Sequence, residues 1–102
     1  MKGKQIKVAE HSPCPFGRYR EHGQGSGEEF RDDVLIPALE TEQVVTLDFT
    51  GGMTYPMSWA EEVFGGLIRS GKFTKDAILS RLNIITDIDY QRNEIIQIIK
   101  RT

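Results

Sequence analysis

Four groups of side chains in this 102-residue chain have types that could carry chemistry. Three aspartates come first: Asp48 near the end of one apolar run, Asp87 and Asp89 after another. If the two runs are strands of one sheet, the carboxylates can converge at its edge, where open α/β sheets bind ligands. That grouping would suit a small ligand, a nucleotide or magnesium-assisted phosphotransfer. The simpler alternative makes Asp87 and Asp89 helix caps and Asp48 a turn residue, because neither a catalytic lysine nor a phosphate loop accompanies them.

Ser58 is followed three residues on by Glu61, the spacing of a capping box. Its hydroxyl either caps a helix or accepts a phosphate, which the helix dipole would favour and Glu61 and Glu62 would oppose. His11, Cys14 and His22 are the only nitrogen and sulfur candidates for zinc. Their spacing fits no zinc module and the Pro- and Gly-rich segment would hold them poorly, so no metal is expected. Arg18 and Arg20 would lower the Cys14 pKa, but nothing beside it marks a nucleophile. Gly23-Gln24-Gly25-Ser26-Gly27 superficially suggests a phosphate cradle. It lacks the preceding strand and the lysine such loops need, and Glu28 and Glu29 occupy the end an anion would use. No cofactor is expected.

The elements that must position these groups alternate. Gln5 to Ala9 reads as a first strand, and His11 to Gly27 as a long loop. Ser26 with Glu29 forms a capping box, and Phe30, Val34, Leu35, Ala38 and Leu39 follow at helical spacing. Pro37 is predicted to kink or end that helix. Residues 43–50 form the strongest strand pattern, placed centrally in the sheet and stopped by Gly51-Gly52. A helix from Ser58 runs to Gly71, and its Gly65-Gly66 pair implies a close approach to the sheet. Thr74 caps a short helix to about Leu82, residues 83–86 form a strand, and Asp87 or Asp89 caps a final helix rich in isoleucine. Strands alternating with helices predict one α/β domain over residues 1–102 with a mostly parallel sheet.

Composition excludes several classes. One cysteine rules out an internal disulfide framework and suits the reducing cytoplasm. No apolar run nears the ~20 residues of a membrane span, and no signal-peptide core follows Met1. The formal charge of −2 conceals an acidic middle: +3 over residues 1–27, −8 over 28–62 and +3 over 63–102. Such a middle would repel nucleic acid and attract a partner with a basic face.

Residues 44–51 (Val-Val-Thr-Leu-Asp-Phe-Thr-Gly), followed by 58–67 (Ser-Trp-Ala-Glu-Glu-Val-Phe-Gly-Gly-Leu), resemble the core of the STAS superfamily, which includes anti-sigma-factor antagonists. Phe16-Gly17-Arg18-Tyr19, the stretch from Ser26 to Arg31, and Leu35-Ile36-Pro37 are similar to a bacterial subgroup, the STAS-like domain of unknown function. The resemblance covers residues 14–102. It implies a four- or five-stranded sheet with helices largely on one face, and a non-enzymatic regulatory role exercised by binding a partner protein. In antagonists a partner kinase phosphorylates a serine at the start of the helix after the central strand, and Ser58 holds that position here. The sequence departs from the antagonist pattern beside it: Tyr55-Pro56-Met57 replaces the acidic neighbour, and Trp59 follows. The resemblance therefore implies a signalling partner, such as a histidine-kinase-like ATPase. The recognition surface would draw on Thr54, Tyr55, Met57, Trp59 and Glu62, with Tyr55 or Trp59 exposed as a hot spot. Homo-oligomer formation stays open as a purely structural role.

Overall fold

The computed structural model describes residues 3–12, 17–51 and 55–102. Three strands, β1 (Gly3–Lys7), β2 (Val44–Asp48) and β3 (Leu82–Ile85), form a parallel sheet in the order β1-β2-β3. The expected four or five strands reduce to three among the described residues, with residues 43–50 central as expected. The register sets Gln5 beside Thr46 and Thr46 beside Asn83, and places Lys7, Asp48 and Ile85 in one row.

Among the described residues five α-helices and a 3-10 turn (Arg20–His22) accompany the sheet. The helices are α1 (Val8–His11), α2 (residues 27–41), α3 (residues 57–69), α4 (Lys75–Arg81) and α5 (Asp89–Arg101). The first strand ends at Lys7, two residues earlier than its pattern predicted, because Val8 begins the single turn of α1. Strands taken in sequential order with right-handed crossovers put every connecting helix on one side. Burial agrees: Ile6, Val45, Leu47 and Leu82 are covered, while Gln5, Lys7 and Asn83 on the opposite face are exposed and Thr46 and Asp48 only partly covered. No helix among the described residues is long and apolar enough to cross a membrane.

Helix α2 starts where Ser26 predicts. The Ser26 hydroxyl oxygen accepts from the Glu29 amide at 3.1 Å, while Glu29 reaches back to the Gly25 amide at 2.6 Å rather than to Ser26 itself. Pro37 does not end the helix, which continues to Thr41. Its missing N–H and bulky ring follow directly on a wide π turn over Arg31–Leu35, which relieves the crowding an α turn would impose. Helix α3 carries a second π turn, Glu61–Gly65.

The two helices cross at Gly27. A Cβ there would meet the Trp59 carbonyl at 2.8 Å and the Glu62 Cβ at 3.0 Å, so only glycine admits this approach. The core beneath is aromatic. Trp59 is fully buried, with its ring centroid 5.3 Å from Phe30, 4.7 Å from Tyr55 and 6.4 Å from Phe49.

Candidate functional site

The residues singled out in the sequence are not gathered into one site among the described residues. Asp48 closes β2, and its Oδ1 accepts from the Thr50 amide at 2.9 Å and the Thr50 hydroxyl at 2.5 Å. Gln5 Nε2 donates to Oδ2 at 3.4 Å, and Lys7 Nζ donates to the Thr50 carbonyl at 3.4 Å. The hydrogen bonds from Thr50 hold the Asp48 carboxyl below the usual carboxylate range, aided by the nearby Lys7 charge. This is the geometry of a turn lock, in which the side chain takes the place of a continuing ladder.

Asp87 and Asp89 are exposed, and neither caps α5. Ile88 holds the cap position and Asp89 is the first helical residue, where its charge still favours the helix N-terminus. Thr86, unmarked in the sequence, shapes the turn before α5 without capping it: its oxygen accepts from the Ile88 amide at 3.1 Å and its hydroxyl donates to Gln91 Oε1 at 2.7 Å. Among the described residues no three His, Cys, Asp or Glu side chains are grouped to hold a metal ion. Cys14 and Thr54 lie outside the described residues. Two concavities among the described residues, one lined by β3, α4 and α5 and one by β1, His11 and α2, do not draw on Asp48, Asp87 or Asp89.

The start of α3 departs from the capping-box pattern. Pro56, with φ −62° and ψ 149°, occupies the cap position, so Ser58 falls two residues inside the helix. The Ser58 side chain is exposed, as is Met57 at 45%. Tyr55 and Trp59, expected to offer at least one exposed aromatic, are both interior. The Tyr55 hydroxyl donates to the Ser12 carbonyl at 3.3 Å, and burial pushes the phenol pKa up. Trp59 Nε1 donates to the Gly25 carbonyl at 3.0 Å. Apolar area and a buried donor both pull these rings inward, leaving them no part in a surface.

Glu62 is also interior. Its Oε2 lies 2.6 Å from Arg31 Nη1, which donates in addition to the Glu62 carbonyl at 3.0 Å. Arg18 approaches Glu62 at 3.7 Å and Glu61 at 3.6 Å, while Arg69 meets Glu61 at 3.1 Å. Arg31 further pairs with Asp32, and Arg20 with Asp33. Four carboxylates of the acidic middle thus have arginine partners within the molecule, most of them from its basic flanks, although Asp32 and Asp33 stay exposed. No spacing in the sequence announces these pairs, whose members stand as many as 44 positions apart (Arg18 and Glu62).

No curated protein and no solved structure matches the chain. A family match does exist over residues 26–92, about two-thirds of the chain and narrower than the stretch the motifs implied. It takes in the Ser26 start of α2, the Asp48 turn and all of α3, and by it the chain belongs to the family described as the STAS-like domain of unknown function (DUF4325).

Proposed function

We propose that the protein is a non-enzymatic bacterial regulatory module that binds a signalling protein through the start of α3, with Ser58 as the phosphoacceptor that controls binding. The observation that carries this is the exposure of Met57 and Ser58 together while Pro56 fills the cap position. A serine in the first turn that is not the cap has its hydroxyl available for transfer, and a phosphate there gains from the helix dipole and nearby amides. The repulsion expected from Glu61 and Glu62 is reduced because Arg18, Arg31 and Arg69 pair with them. The partner is a cytoplasmic histidine-kinase-like ATPase or a related signalling protein. The basic face first expected of it has fewer free acids to meet, so Met57 supplies the apolar anchor.

The test uses a purified histidine-kinase-like ATPase from the organism that makes the protein. Incubation with ATP is expected to give a Ser58 phosphopeptide, and Ser58→Glu and Met57→Glu are each expected to weaken capture of that protein. Absence of the phosphopeptide with a demonstrably active kinase overturns the switch. Equal capture of wild type and Met57→Glu overturns the surface.

A further inference from the structure

Among the described residues the outer edge of β3 is guarded by a side chain instead of a strand. The Phe49 amide donates to the Ile85 carbonyl at 2.8 Å, so that carbonyl faces β2 and strand alternation turns the Ile84 carbonyl away from it. Arg92 covers the Ile84 carbonyl, donating from Nε at 3.2 Å and Nη2 at 3.1 Å. Beside this edge a groove of about 270 Å³ runs between α4, β3 and α5. Ile78, Leu79, Ile95, Ile96 and Ile99 line it, Leu79 is 36% exposed, and Arg92 is the one charged group in the lining. Arg18, Arg20, Arg31 and Arg69 all pair with carboxylates, whereas Arg92 has none among the described residues.

We propose that this groove receives an extended segment of a partner protein that combines aliphatic side chains with a carboxylate and adds a strand beside β3. A backbone N–H of the incoming strand takes over the Ile84 carbonyl, and its carboxylate takes the guanidinium so released. The aliphatic side chains enter the isoleucine groove. Pairing through main-chain bonds with pockets for alternate side chains is the general mode of strand addition, and a charged side chain is a recognised way to blunt an edge left open. Charge selects the occupant. A second copy docked by two-fold symmetry would set Arg92 against Arg92 with no acid in either groove, while an acidic segment complements it. This surface is separate from the start of α3 and does not depend on Ser58.

The test is selection of phage-displayed random heptapeptides on the immobilised full chain, followed by fluorescence polarisation with the selected peptides. Enriched sequences are expected to carry alternating Val, Ile or Leu with at least one Asp or Glu. Arg92→Glu is expected to weaken their binding about tenfold or more and, on reselection, to favour lysine. Leu79→Lys is expected to abolish binding. Arg92→Gln serves as the second variant if Arg92→Glu does not keep the wild-type circular dichroism spectrum. No enrichment over bare support, enrichment without acids, or a dimer in sedimentation that Leu79→Lys dissociates each overturns the proposal.

Discussion

The Arg31 guanidinium fills the space that a side chain on Gly66 would need. A Cβ at Gly66 would run into Nη1 and lie 3.1 Å from Cζ and 3.2 Å from Cδ, so Arg31 would have to leave Glu62. Gly66 therefore makes room for the half-buried Arg31–Glu62 pair between helices and Gly65 for the outer Glu61–Arg69 pair, rather than for contact with the sheet.

Two adjacent substitutions should consequently diverge. Gly66→Ala gains ~1 kcal/mol of helix propensity and loses about 2–3 kcal/mol by disturbing a half-buried pair, a net destabilisation of about 1–2 kcal/mol. Gly65→Ala displaces only the exposed ends of Glu61 and Arg69, a pair worth under about 1 kcal/mol, so it should be neutral or stabilising. Urea unfolding of both variants checks this, and Gly66→Ala should become harmless in an Arg31→Met/Glu62→Met background.

The three serine and threonine positions read as caps give a second divergence. Ser26 and Thr74 accept from Glu29 and Ala77 amides, both at 3.1 Å, so alanine at either should cost about 1 kcal/mol. Ser58→Ala should stay within about 0.5 kcal/mol of wild type, because Pro56 and not Ser58 holds the cap position. A Ser58→Ala loss matching that of Ser26→Ala would show that the hydroxyl caps α3 after all.

These contrasts also mark what the sequence could disclose. Several local signals held, since Ser26 and Thr74 do cap and Val45 and Leu47 do face the core of the central strand, whereas neither Asp87 nor Asp89 caps α5. The Ser58-to-Glu61 spacing misled because two signals compete within three residues, and Pro56, already fixed near φ −65°, takes the cap first. The burial of Tyr55, Trp59 and Glu62 was not legible, because it depends on the Gly25 carbonyl, the Ser12 carbonyl and Arg31, all more than 30 positions upstream. Aromatic rings beside an exposed serine look alike in sequence whether they point outward or inward.

Trp59 is the only tryptophan and so reports its own burial. The folded protein should emit at short wavelength and shift to the red on unfolding. Trp59→Ala should cost about 3–5 kcal/mol. Trp59→Phe keeps the aromatic packing but leaves the Gly25 carbonyl without its donor, so about 1–3 kcal/mol should be lost.

Acid should weaken the fold through two carboxylates. Thr50 lowers the Asp48 pKa through side-chain and main-chain hydrogen bonds, and the Arg20 guanidinium lowers that of Asp33. Both folded values lie below the unfolded value of about 3.9, so their stabilisation is present above that pH and is lost as pH falls through the folded values. Urea midpoints of the wild type should decline below about pH 4. The Asp33→Asn/Asp48→Asn variant should decline less over the same interval, and an identical slope would assign acid sensitivity to other groups.

Arg81 ties the turn before β2 to the helix before β3. Its Nη2 donates to the carbonyls of Leu39 and, at 2.8 Å, Glu42, while Nε donates to Gln43 at 3.0 Å and the guanidinium lies 5.7 Å from the Phe73 ring centroid. The Leu39 carbonyl belongs to the last turn of α2, where such groups lack helical partners and a cation is favoured. One planar fork thus closes α2 and fixes the spacing between its end and α4. Lysine keeps the charge but cannot present donors to three carbonyls or stack on Phe73 in the same way. Arg81→Lys should therefore cost about 1–2 kcal/mol, a large part of the Arg81→Ala loss, as read by urea unfolding. A lysine variant as stable as wild type would mean that charge alone, and not the fork, holds the turn.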